Sequence, residues 1–118
     1  MIRIADPLDG AGSAREFRCT VHGLCFENRY RMLEGIHAGD PLVLRREPDN
    51  AIGADAIQVQ TAATETIGYV PRTISRWLAP LMDSGHRAVA SVVKVRSGCP
   101  YYERLIIEVL IDPGQPGR

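Results

Sequence analysis

Along residues 17–22 the chain alternates strictly: Phe17, Cys19 and Val21 are apolar, whereas Arg18, Thr20 and His22 are polar. A period of two predicts a half-buried strand, and Gly23 behind it permits a bulge or a sharp bend. Residues 30–38 have no clear period and are read as loop, with a short strand or one helical turn through Met32, Leu33 and Ile36 as alternatives. Gly39 and Asp40 close that stretch as a turn. Leu42, Val43 and Leu44 with Arg45 and Arg46 predict a strand stopped by Pro48. The turn-rich residues 49–55 then lead into a second strand over 56–61, suited to antiparallel pairing with the first. Residues 66–70 predict a further short apolar strand.

Pro71 follows at the place where a helix puts its first residue, since proline lacks an N–H that would be unpaired there anyway. Beyond it Ile74, Trp77, Leu78, Leu81 and Met82 recur at helical spacing and predict a core-facing stripe. Trp77 is assigned to the core. Pro80 interrupts the pattern and predicts one kinked helix or two abutting short ones, and Gly85 ends the run. Residues 88–95 and 101–111 predict a closing hairpin, with Leu105, Ile107, Val109 and Ile111 on one face. Five or six strands with one helical insertion predict a mainly β fold. A small, partly closed antiparallel barrel fits best, because closure removes exposed strand edges; an open α+β sheet is the second choice.

Composition narrows the picture further. The chain has 118 residues, 45% of them hydrophobic and 24% charged, which suits one globular domain with a single modest core. Residues 1–15 and 112–118 read as flexible flanks around a domain at 16–111, the latter because Pro and Gly dominate the end. No apolar run approaches the roughly 18 residues that a membrane helix requires. The first residues lack the apolar stretch of a secretion signal, and three cysteines (Cys19, Cys25, Cys99) without CxxC spacing suit reduced thiols, so a cytoplasmic location is expected. Fourteen basic and fourteen acidic residues cancel, so a polyanion site must be local rather than a property of the whole surface. Thirteen of the bases are arginine and one is Lys94, which supplies planar groups suited to phosphates and to stacking.

Five blocks carry a family resemblance. They are Val21-His22-Gly23-Leu24-Cys25-Phe26-Glu27-Asn28-Arg29-Tyr30, then Gly39-Asp40-Pro41-Leu42-Val43-Leu44-Arg45-Arg46-Glu47-Pro48-Asp49-Asn50, then Asp55-Ala56-Ile57-Gln58-Val59, then Ile67-Gly68-Tyr69-Val70-Pro71-Arg72, and Leu78-Ala79-Pro80-Leu81-Met82-Asp83-Ser84-Gly85. In this order and spacing the chain resembles the HIRAN domain over about residues 17–111. The resemblance implies an OB-fold-like barrel and a part in DNA repair or processing. Eukaryotic members of that family are attached to chromatin-remodelling ATPases with RING fingers and capture the 3′ end of single-stranded DNA, while bacterial ones are often freestanding, as is expected here. Single-stranded DNA or a DNA 3′ end is therefore the expected partner, beside a helicase or nuclease protein partner, and no membrane.

Carried over position by position, the resemblance implies a nucleic-acid site of Cys25, Phe26, Arg29, Tyr30, Asn50, Ile52, Tyr69, Arg72 and Tyr102, with Tyr101 as an alternative to Tyr102. There are departures. After the first strand, DNA-binding members present a basic residue followed by aromatics, where this chain has Cys25, Phe26 and Glu27; Arg29 and Tyr30 stand close enough to replace the charge and the ring. In the family's Asn-Pro-Tyr-Asp-x-Asn pattern Asn50 is kept, but the tyrosine and aspartate that help hold a terminal nucleotide are Ile52 and Gly53. Groove binding is thus expected to outlast 3′-end capture. Rings that stack on bases at about 1–3 kcal/mol each, with arginines on phosphates, suit an unpaired strand read without sequence preference.

Other chemistries fit less well. Cys19, His22 and Cys25 lack a fourth zinc ligand unless His37 folds back, and His22 points away from Cys19 on a strand, so no metal is expected. Glu47, Asp49 and Asp55 are the residue types with which a nuclease holds a divalent cation, but their setting around Pro48 reads as turn chemistry. Neither a GxxxxGK[ST] loop nor a recognisable Ser-His-Asp or Cys-His arrangement is present. A non-enzymatic module without cofactor is expected, with a protein-interaction module that lost the ligand as the rival and a metal-dependent nuclease as the third choice. Asn50 is also expected to shape its own turn, and Tyr69 to face away from the core only if Gly68 lies at a bulge.

Overall fold

In the computed structural model, residues 16–23, 31, 33–96 and 105–112 are described. Among them are six strands and one helix: β1 (Glu16–Thr20), β2 (Pro41–Arg46), β3 (Ile57–Thr61), β4 (Thr66–Tyr69), α1 (Arg72–Asp83), β5 (Arg87–Val95) and β6 (Leu105–Asp112). The strands form one antiparallel sheet in the order β1-β6-β5-β2-β3-β4. Alternation along each strand sends one side chain in two to the interior, so Phe17, Cys19, Leu42, Leu44, Ile57, Val59, Ala90, Val92 and Leu105, Ile107, Val109 and Ile111 make a single core.

The sheet curls until its two edges meet. Just past β1, His22 exchanges backbone hydrogen bonds with Tyr69 at the end of β4, both 2.8 Å, while Val21 N–H donates to the Leu105 carbonyl of β6 at 3.1 Å. Among the described residues the path β1-β6-β5-β2-β3-β4 is thereby closed by one bridging pair, His22 with Tyr69. Gly68 makes the seam sterically feasible: a Cβ there would lie 2.5 Å from the His22 carbonyl oxygen and 2.5 Å from Val21 Cγ1. The expected OB-like, mainly β barrel is what forms, with six strands.

A register shift between β3 and β4 sets the direction of Tyr69. Val59 pairs with Gly68 but Gln60 pairs with Thr66, which leaves Ile67 as the extra residue of a bulge. Ile67 and Gly68 are both buried and Tyr69 is half-buried. The bulge turns Tyr69 off the face that Ile67 occupies, the condition under which the sequence allowed it to leave the core.

Several expectations need correction. Of the two forms expected for the helix, the single one is found and the two short pieces are not: α1 runs as one element through Pro80. Pro80 and Arg76, whose carbonyl loses its partner, are both exposed, so the missing bond falls on the outer side of the helix. Pro71 is the residue before the helix rather than its first, with Ile74 and Ser75 N–H donating to its carbonyl at 2.9 Å. The buried helical face consists of Ile74, Ser75, Leu78 and Ala79, rotated from the predicted stripe, with Trp77 and Met82 only partly buried against the core. Trp77 meets Phe17 edge-on at 5.3 Å between ring centroids. The helix ends where expected: Gly85 at φ +107° lets its N–H reach the Met82 carbonyl and the His86 N–H reach that of Leu81. Residues 33–35 form one tight helical turn rather than loop, burying Leu33 and Ile36, and β6 runs one residue into the expected tail.

Candidate nucleic-acid interface

The β2–β3 connection is a built loop rather than a slack one. Glu47 N–H donates to the Ala56 carbonyl at 2.9 Å, and Asn50 N–H to the Glu47 carbonyl at 3.1 Å. Asn50 Oδ1 accepts the Ile52 N–H at 2.8 Å, the Asx turn expected of it. From beneath, the Arg46 guanidinium donates to the carbonyls of Ala56 (2.7 Å) and Ala54 (2.8 Å) and grips both Asp83 carboxylate oxygens at 2.9 and 3.1 Å. One side chain thus ties β2 to the returning limb of the loop and to the end of α1. Arg46 in turn holds the Asp83 carboxyl below its ordinary 3.8.

This loop, the seam and the start of α1 surround an open cavity of about 570 Å³. Asn50, Ile52 and Gly53 come from the loop, His22 and Gly23 from the turn after β1, Tyr69 from β4, and Arg72 and Ser75 from α1. Asn50, Ile52, Tyr69 and Arg72, picked out on the sequence, are therefore brought to one concavity. Cys25, Phe26, Arg29, Tyr30, Tyr101 and Tyr102 lie outside the described residues.

The walls are chiefly apolar, and the groups that break them are informative. Ile52 is 82% exposed, an apolar side chain left at the rim. Arg72 is exposed, and among the described residues no carboxylate lies within ion-pair distance of its guanidinium. It lies with Asp55 beside Gly53: a Cβ at that position would come within 3.3 Å of Arg72 Nη2 and 3.0 Å of Asp55 Oδ1. Burial holds the His22 imidazole below 6.5, hence neutral at pH 7.

Tyr69 is held from outside the cavity. Its hydroxyl donates to both Glu47 carboxylate oxygens, at 3.0 and 3.1 Å. The same carboxylate accepts Asn50 Nδ2 at 2.5 Å and Gln58 Nε2. The acids Glu47, Asp49 and Asp55, neighbours in sequence around the turn, are separated in space: Glu47 faces the polar side chains of β3 and β4, Asp55 lines the cavity and Asp49 is exposed. A lone acid beside a strand end carries no sign of such a role in the sequence; only the pairing of Gln58 with Tyr69 across β3 and β4 gathers the donors. Among the described residues no three His, Cys, Asp or Glu side chains are grouped to hold a metal ion. Burial pushes the Cys19 thiol up to about 12, leaving it protonated and inert. No helix among the described residues is long and apolar enough to cross a membrane.

Comparison with known proteins places this geometry in a lineage. A 55-residue stretch, 47% of this chain, is 33% identical to the Fanconi-associated nuclease 1 homolog of Arabidopsis thaliana and spans 6% of that protein's length. Among solved structures, a Lactobacillus plantarum protein superposes with a TM-score of 0.65 at 26% identity, covering 79% of this chain and 91% of its own. The HIRAN domain of human HLTF superposes with a TM-score of 0.59 over 82% of this chain and 73% of that one; at 19% identity this likeness shows a shared fold. The sequence profile of the HIRAN domain matches residues 14–109, from the residues just before β1 into β6. With the curled six-stranded sheet, that match over most of the length settles the lineage: this chain belongs to the HIRAN domain family.

Proposed function

We propose that the chain is a non-enzymatic nucleic-acid-binding module that holds single-stranded DNA or DNA ends during repair or processing, with the cavity at the barrel seam as its site. One observation carries this reading: Asn50, Ile52, Tyr69 and Arg72, drawn from a loop, a strand and a helix, line one open concavity, where the Arg72 guanidinium makes no ion pair with a described carboxylate although Asp55 shares the wall. Family membership supports it, since HIRAN domains are associated with DNA binding. An aromatic ring beside an apolar rim offers a stacking surface, and a guanidinium at the wall pairs with a phosphate without reading sequence.

Fluorescence anisotropy with labelled single-stranded oligonucleotides at low and moderate salt tests the reading. Affinity is expected to fall as salt rises, and to fall further in a Tyr69→Leu/Arg72→Ala variant. Comparing oligonucleotides with free and phosphate-blocked 3′ ends asks about end capture, which the apolar Ile52 and side-chain-free Gly53 argue against. Absence of binding at low salt would exclude this function. The rival, a protein-interaction module, draws on the outer face, where exposed Val43, Val89 and Leu110 are direct cross-strand neighbours on β2, β5 and β6.

A further inference from the structure

Glu47 does not line the cavity, yet it holds two residues that do. Its carboxylate accepts the Tyr69 hydroxyl on both oxygens, at 3.0 and 3.1 Å, and accepts Asn50 Nδ2 at 2.5 Å. Gln58 Nε2 is a third donor to it. Gln58 is itself fixed from behind: its Oε1 accepts Gln60 Nε2 at 2.7 Å and the Thr66 hydroxyl at 3.3 Å. A polar chain therefore runs from β4 and β3 to the groove, and Glu47 is the point where it meets the groove residues.

A charged acceptor holds a hydroxyl about twice as strongly as a neutral one, so the Tyr69 ring is kept in one attitude before any ligand arrives. The hydroxyl is also committed, so a ligand meets the ring. Asn50, bonded to the same carboxylate and shaping the loop through its bond to the Ile52 N–H at 2.8 Å, is set by the same anchor. We infer that Glu47 is a positioning residue of this groove: it presents the Tyr69 ring, and not its hydroxyl, to the bound strand and locks the Asn50 loop beside it. This role rests on the groove being a nucleic-acid site.

A double-mutant cycle tests it, using the whole chain and a fluorescein-labelled oligothymidylate, with thermal unfolding recorded for every variant. Tyr69→Phe keeps the ring and removes the tether; an affinity loss of about threefold is expected, and about fivefold for Glu47→Ala, which frees Asn50 as well. The double variant is expected to bind no more weakly than Glu47→Ala alone, because both changes cut the same link. Independent losses that multiply to about fifteenfold would overturn the inference, as would a Glu47→Ala protein that is less stable but binds normally. Should Glu47→Ala fail to fold, Glu47→Gln runs through the same cycle: it keeps an acceptor for Tyr69 while opposing an amide to Asn50 and Gln58. A wild-type chain that binds no oligothymidylate overturns the nucleic-acid reading itself, and the positioning role with it.

Discussion

At Gly68 the absence of a single carbon decides whether the barrel closes. The atoms a Cβ would strike include the His22 carbonyl oxygen, which is backbone and cannot swing aside. Gly68→Ala is therefore expected to destabilise by about 2–4 kcal/mol, read as a lower urea midpoint, with the loss concentrated at the seam. Arg46 is the second decisive residue. Arg46→Ala is expected to cost more stability than Asp83→Asn, because the guanidinium also supports the Ala54 and Ala56 carbonyls. The pH dependence has a definite sign: Asp83 has a folded pKa below its ordinary 3.8, so its pairing contributes fully at higher pH and is lost as pH falls below that value. Thermal scans from about pH 6 to about pH 2 should show the wild type converging on Asp83→Asn in acid. His22 acts in the acid direction as well: the fold resists its protonation, so stability declines as pH drops through 6.5, and His22→Gln should flatten that limb. None of these roles shows in the sequence as a motif, because a close approach and a shared acceptor exist only between distant segments.

At the scale of elements, strand bounds were legible to within a residue or two wherever the residues are described; the predicted start of the last strand, 101–104, lies outside them. Phe17, Cys19 and Val21, and Leu105 to Ile111 by twos, point inward as their period demands. The helix was legible in place but not in face. Ser75 and Ala79 are buried where large apolar residues were expected to lead, because small side chains let the helix lie close while Trp77 reaches sideways to Phe17. Pro80 costs a hydrogen bond without breaking the helix, since the loss falls on the exposed side. Pro80→Ala is accordingly expected to stabilise the chain by about 1–2 kcal/mol, less than the full interior penalty of proline, with unchanged oligonucleotide binding. A lower midpoint would mean that the ring itself supports the packing around Met82.

For the whole molecule, electrostatics follow from a balanced composition. With no net charge to attract a polyanion, binding must rest on a few local cations, and the dependence of log affinity on log salt should be shallow. Each phosphate contact on a single strand contributes a slope of about −0.7, so Arg72→Ala should reduce the slope by about that much if the guanidinium meets one phosphate. An unchanged slope would move the contact elsewhere. By itself the amino-acid order determined which segments are strands, where the helix begins to within a residue and where it ends, that the composition supplies no general positive field, and which residues were worth watching in the 50s loop and at residues 69–72. Those features depend on neighbours within one segment, where period, proline and glycine act directly. The tertiary structure alone decided that β4 reaches back to His22, that a bulge at Ile67 turns Tyr69 from core to groove, and that Glu47 gathers Tyr69, Asn50 and Gln58. Register, closure and side-chain partnership are set by contacts between segments that lie tens of residues apart, and the energy of such contacts has no period along the chain.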